Sequence, residues 1–224
     1  MKLGVLFSGG KDSTYAMWLA KQAGHEIACL ISLQSENPDS FMFHTPSISS
    51  VEVQAKAMNL PIIIQKTKGK KEAELKDLEK SITQAVEQYQ IAGVVTGAVE
   101  SVYQSTRIQT VCNKLSIECF NPLWQKPQLE LLNDLIKNKF KVIVVGVAAY
   151  PLNQNWLGRE IDKKFIQEMT DLQNKYKINP AGEGGEFESF VLNAPGLFKK
   201  PLKVKSFKDK VDGENAARRE LEVE

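Results

Sequence analysis

Residues 8–13 read Ser8-Gly9-Gly10-Lys11-Asp12-Ser13, directly after the apolar run Leu3-Gly4-Val5-Leu6-Phe7. This start predicts a buried strand that empties into a glycine turn, with a helix beginning at once. Two adjacent glycines let the backbone take positive φ and approach an anion without a Cβ clash. The free N–H groups and dipole of the new helix favour a phosphate there. Lys11 adds a compact positive charge, and Ser8 and Ser13 add hydroxyl donors. Asp12 either caps the helix or holds a metal. Both Lys11 and Asp12 are expected in an exposed loop. The string is not a Walker A loop, which needs four residues between its first glycine and Gly-Lys-Ser/Thr. Nor is it a dinucleotide fingerprint, since Gly-x-Gly-x-x-Gly is absent.

The first two-thirds of the chain alternates strand and helix signals. Strands are expected at 2–7, 26–33, 61–66, 92–97 and 140–148, with helices at 12–23, 47–58, 70–89, 101–115 and 127–138. In the helix 70–89, Leu75, Leu78, Ile82, Ala85 and Val86 fall on one stripe. Ile62-Ile63-Ile64 and Val142-Ile143-Val144-Val145 are apolar on both faces, as a covered parallel sheet requires. Repeated strand–helix units give a doubly wound parallel α/β sheet of five strands, expected in the order 3-2-1-4-5. Ligands of such sheets sit beyond the carboxyl ends of the strands. The pattern changes after about residue 121, so 1–121 is expected to bind nucleotide. Residues 122–224 are expected to form a smaller α+β substrate-recognition domain. There a polar helix at 159–176 and a strand around Phe190-Val191-Leu192 precede a Lys-rich segment, 199–210. Residues 211–224 are charged and read as a solvated tail or frayed helix.

Composition excludes several classes. A net charge of +2 over 224 residues lacks the footprint of a nucleic-acid binder, so no nucleic-acid partner is expected. No run of about 18 apolar residues suits a membrane span, and no membrane partner is expected. The three cysteines, Cys29, Cys112 and Cys119, form no Cys-x-x-Cys and read as reduced thiols of a cytoplasmic protein. With two histidines and no ligand-like spacing, a zinc site is not expected.

Three further segments carry candidate chemistry. Gly182-Glu183-Gly184-Gly185-Glu186-Phe187-Glu188-Ser189 packs three carboxylates around three glycines. Like charges so close repel unless a cation or a cationic substrate intervenes; composition alone leaves a solvated acidic turn equally open. Gly97 through Arg107 follows the strand ending Val94-Val95-Thr96, and Tyr103 and Arg107 share a helix face. Arg107 either pairs with a phosphate or an acidic residue or is a surface arginine, and Gln104 lies beside it. In Ser40-Phe41-Met42-Phe43-His44-Thr45, His44 is a packed side chain or a neighbour of the nucleotide. Ser32 and Leu33, at the end of the second strand, offer backbone groups to an adenine ring.

The string Ser8–Ser13 resembles the PP-loop of N-type ATP pyrophosphatases. Taken with Met42-Phe43-His44-Thr45-Pro46, Gly97–Arg107, Pro122-Leu123-Trp124, Gly182–Ser189 and Val191-Leu192-Asn193-Ala194-Pro195, it resembles the diphthine–ammonia ligases over nearly the whole chain. That resemblance implies a cytoplasmic AMP-forming ligase that uses ATP and Mg2+ to amidate diphthine on translation elongation factor 2 with ammonium, through an acyl-adenylate. It implies catalytic roles for Lys11, Asp12, Arg107 and Glu186, with Asp12 as metal ligand. ATP would rest on Ser8–Ser13, Ser32, Leu33, His44 and Gly97. The acceptor would meet Tyr103, Gln104, Glu183, Gly184, Gly185, Glu186, Glu188 and Ser189. A homodimer stays open. Two other readings keep the loop: a pyrophosphatase modifying tRNA or a small metabolite, and a non-catalytic nucleotide-binding protein.

Overall fold

The computed structural model describes residues 1–35, 48–68 and 71–224. The chain divides into two compact units, Met1–Trp124 and Gln125–Glu224.

The first unit alternates strand and helix: β1 (Lys2–Leu6), α1 (Lys11–Gln22), β2 (Glu26–Ser35), α2 (Ile48–Met58), β3 (Ile62–Thr67), α3 (Lys71–Tyr89), β4 (Gly93–Val95), α4 (Val102–Lys114) and β5 (Glu118–Phe120). All strand pairings are parallel, in the order β3-β2-β1-β4-β5. The expected order is met, with one correction. Its fifth strand is the three-residue β5, which gave no strand signal, and not the segment 140–148. β5 is short because only Glu118, Cys119 and Phe120 pair with Gly93, Val94 and Val95.

Both faces of this sheet are apolar, as helix-covered parallel strands demand. Cys29, Ile31 and Leu33 of β2 pack with Leu78, Ile82 and Ala85 of α3 and with Ile108, Val111 and Cys112 of α4. Leu75 and Val86 border that cluster, so the whole predicted stripe of α3 faces the core. Leu30, Leu3 and Val5, on the other face, are also buried. Crossovers of this kind bring every β–α loop to the carboxyl edge, where the glycine turn before α1 lies.

The second unit holds α5 (Gln128–Lys137), β6 (Lys141–Val147), a 3-10 turn (Gln154–Trp156), α6 (Lys163–Tyr176), β7 (Phe187–Asn193), β8 (Val204–Gly213) and β9 (Ala216–Val223). Its sheet is antiparallel, in the order β7-β6-β9-β8. Val142–Val145, read above as parallel strand, is therefore the centre of this sheet. Its residues are buried on both faces whichever way its neighbours run. The helix expected from 159 starts at Lys163, because the Asp162 carboxylate accepts from Phe165 N at 2.8 Å and caps it. Residues 211–224 are not a tail. They turn at Glu214–Asn215 and return as β9, with Gly213 opposite Ala216.

Candidate active site

The loop from β1 into α1 is tied by its own serines. Ser8 N donates to Ser13 Oγ at 3.3 Å, the two hydroxyl oxygens stand 3.1 Å apart, and Gly10 N donates to Ser8 Oγ at 3.4 Å. Gly9 takes φ +81°, which a side chain would disfavour. Gly10 is the N-cap of α1 and has no side chain to satisfy the first-turn amides. Its carbonyl accepts from Ser13 Oγ at 3.2 Å and Thr14 Oγ1 at 2.8 Å. From α2, the fully buried Gln54 donates to the Gly9 carbonyl at 3.0 Å.

Lys11 is not in an exposed loop; it is 3% exposed. It opens α1, and its Nζ lies 2.8 Å from Asp12 Oδ2. Asp12 sits in the first turn rather than at the cap, where its charge complements the helix dipole. Its second oxygen, Oδ1, is buried and has no hydrogen-bond partner among the described residues.

Gly97 explains itself by packing. A Cβ there would stand 2.7 Å from Asp12 C and from Ser13 N, so the turn after β4 rests directly on the backbone that opens α1. Ser101 caps α4, accepting from Gln104 N at 3.3 Å. One turn on, the Arg107 guanidinium lies 4.3 Å from the Tyr103 ring centroid. Ser32 and Leu33 are buried at the carboxyl end of β2. His44 lies outside the described residues.

In the second unit, Glu186 holds its own loop. Its Oε1 accepts from Asn179 N at 3.0 Å and its Oε2 from Gly184 N at 2.8 Å. Gln128 of α5 braces the same loop, accepting from Ala181 N at 3.1 Å and donating to Asn179 Oδ1 at 3.3 Å. Gly182 and Gly185 take φ +77° and +84°. Gly184 leaves no room for a Cβ, which would meet Glu186 Oε1 at 2.8 Å. Gly184 and Gly185 are exposed, while Glu183, Glu188 and Ser189 are half-buried. Glu188 sits opposite Gly146 of β6, its carboxylate 3.2 Å from where a Cβ would be.

Among the described residues no three His, Cys, Asp or Glu side chains gather into a metal-binding group. No helix among them is long and apolar enough to cross a membrane. The cysteines are free. Burial pushes the Cys29 thiol up to about 12. Cys112 and Cys119 share a hydrogen bond that raises Cys112 and lowers Cys119.

Comparison with known proteins decides the family. The family model described as diphthamide synthase N-terminal domain matches residues 1–119, and the one described as diphthamide synthase C-terminal domain matches 127–219. The chain belongs to the diphthamide synthase family. Curated relatives named diphthine–ammonia ligase include the Bos taurus protein, 33% identical over 92% of this chain and 84% of its own length. The Homo sapiens protein is 32% identical over the same shares. The Danio rerio protein is 32% identical over 90% of this chain and 86% of its own length.

Sequence reasoning passed over Gln54, Gln128 and Asn179, which hold the two loops, and Gln34 at the end of β2. One signal was available for Gln54. It falls with Val51, Ala55 and Met58 on the buried stripe of α2, where a polar residue is out of place.

Proposed function

We propose that this family member is a cytoplasmic ATP-dependent ligase that amidates diphthine on translation elongation factor 2, using ammonium and releasing AMP and pyrophosphate. The observation that carries the reading is the loop Ser8–Ser13. It combines a helix N-terminus with uncapped amides, a buried ammonium and a buried carboxylate oxygen without a partner. Those are the groups a magnesium-bound triphosphate needs. The names of the relatives supply the acceptor class.

Each residue then has a task. The amides of Gly9 and Gly10 and the hydroxyls of Ser8 and Ser13 receive phosphate oxygens. Lys11 trades its contact with Asp12 for the phosphates, and Arg107, held against Tyr103, steadies charge on the departing pyrophosphate. Asp12 Oδ1 fits Mg2+, which is commonly held by one or two carboxylates plus substrate phosphates. Bound there, the ion would neutralise phosphate charge. Ser32 and Leu33 border the base, and Gly97 keeps the turn after β4 close to α1. The substrate carboxylate attacks the α-phosphorus, and ammonia then displaces AMP from the acyl-adenylate.

We assign the acceptor to the Gly182–Ser189 loop of the second unit. The exposed backbone of Gly184 and Gly185 allows close approach. The carboxylates of Glu183 and Glu188 attract the trimethylammonium of diphthine or the ammonium ion. Glu186 shapes the loop. The test incubates the protein with ATP, ammonium and diphthine-bearing elongation factor. AMP, pyrophosphate and the mass change of carboxylate to amide should appear together, and each should require the other substrates. Pyrophosphate release with no mass change on the elongation factor refutes the acceptor. No release at all refutes the ligase.

A further inference from the structure

Gln34 is a buried amide with nothing to bond among the described residues. It lies near the carboxyl end of β2, paired in register with Lys66, and is 4% exposed. Both its Oε1 and its Nε2 are closed to water and lack hydrogen-bond partners among the described residues. A buried amide left unsatisfied costs stability, so its presence needs a reason. Strand alternation puts Gln34 on the same face as Ser32, opposite the face where Cys29, Ile31 and Leu33 meet α3 and α4. β2 is the immediate neighbour of β1, whose carboxyl end carries the phosphate loop. Gln34 thus stands at the ligand edge of the sheet, one strand from the phosphates.

We infer that Gln34 is the residue that reads the base of the bound nucleotide, an inference that rests on the ATP reading above. A side-chain amide offers one donor and one acceptor side by side, the complement of adenine's N6–H donor and neighbouring ring nitrogen. The amide satisfies itself only when the base is present, and because both polar atoms are closed to water in the free protein, the base must displace what covers them. It therefore contributes affinity in the complex and weakens the free protein. The same amide also matches the O6 and N1–H edge of guanine once it turns over, so Gln34 alone does not exclude GTP. A carboxylate at this position would accept only, and would favour the N1–H and N2–H donors of guanine.

Three proteins and three ligands test this by titration calorimetry and thermal shift. The wild type, Gln34→Leu and Gln34→Glu are each given ATP, GTP and inorganic tripolyphosphate with magnesium. Gln34→Leu should melt higher than wild type without ligand, since an unpaired amide is gone. It should bind ATP about ten- to a hundredfold more weakly and bind tripolyphosphate as the wild type does. Gln34→Glu should shift the ATP-to-GTP preference toward GTP. If Gln34→Leu keeps wild-type ATP affinity, or Gln34→Glu keeps the wild-type preference, Gln34 does not read the base, while the nucleotide site itself stands. If the wild type binds neither ATP nor tripolyphosphate, the phosphate-loop reading fails, and this inference fails with it.

Discussion

Replacing Gly97 with alanine should unseat the phosphate loop from a distance. The new Cβ would lie 2.7 Å from Asp12 C and Ser13 N and 2.9 Å from Ser13 Cα, where ordinary contact begins at 3.4 Å. All three are backbone atoms at the start of α1, so no side chain can swing aside. Relief requires the turn after β4 and the first turn of α1 to separate by about 0.7 Å, the shortfall between those distances. Overpacking of this kind costs about 1–3 kcal/mol, a fall in melting temperature of roughly 2–12 °C for a chain of this size. The same shift moves the amides, Lys11 and Asp12 that face the phosphates, so ATP affinity should fall at least about tenfold beyond what stability predicts. Gly213→Ala is the control. A Cβ there meets nothing within 4 Å, and its effect should stay within about 0.5 kcal/mol. The assays are urea unfolding and ATP titration. If Gly97→Ala matches the control in both, the turn after β4 does not support the phosphate loop.

Asp12→Ala should abolish ATP turnover and also destabilise the fold, because it removes the carboxylate that lies 2.8 Å from a buried ammonium. The loss should fall below the about 3–5 kcal/mol of a fully buried pair, since the Asp12 side chain is 27% exposed. Lys11→Met should abolish turnover with a smaller loss, since it removes the buried charge itself; chemical denaturation beside pyrophosphate release reads both. Native alkylation with iodoacetamide should modify Cys119 first, since Cys112 lowers its pKa and it is half-buried. Cys29, pushed up to about 12, should react only on unfolding, which peptide mass mapping will show. Asp209 is held below its usual pKa by the Arg219 guanidinium. A depressed folded pKa gives stability that is present above the unfolded pKa and lost as pH falls through the folded one. Asp209→Asn should therefore lower stability at neutral pH and flatten its decline below about pH 4, measured by unfolding across that range.

The parallel half of the fold was legible because each of its longer strands carries two apolar faces and each helix one stripe. β5 was not, since three residues hold no periodicity. Val142–Val145 showed that apolarity reports burial and is silent on the direction of the neighbour. The hairpin at Glu214–Asn215 was hidden by charge. β8 is the edge strand of its sheet, and edge strands carry lysines that keep them from pairing with other chains. That is why Lys205, Lys208 and Lys210 read as a Lys-rich segment and not as a strand. Asp212-Gly213, at the end of β8 just before the turn, was the break signal that could have corrected it. The phosphate loop was legible residue by residue, because its chemistry is contiguous. The partners that hold it come from elsewhere in the chain: Gln54 lies 45 residues beyond Gly9. No local pattern announces such a contact.

The acidic loop shows the same divide between what a residue is and what it is bonded to. By composition alone, Glu183, Glu186 and Glu188 are three equivalent carboxylates. In the fold, Glu186 is 9% exposed and commits both oxygens to backbone amides. Glu186→Gln keeps the shape but replaces one acceptor with an NH2 group that faces Asn179 N or Gly184 N. It loses one charge-assisted bond and places two donors against each other, at a cost of about 1.5–3 kcal/mol. The loop from Asn179 to Glu186 should loosen, and hydrogen exchange at the Gly184 amide should quicken. Amidation should then fall mainly through a higher KM for the protein acceptor. ATP and tripolyphosphate affinity should be unchanged, because their groups lie in the other unit. A lower kcat with KM and amide protection at wild-type values would mean that the carboxylate acts on the reacting atoms themselves. Glu186 would then be catalytic in its own right, and the staple would be incidental to its role.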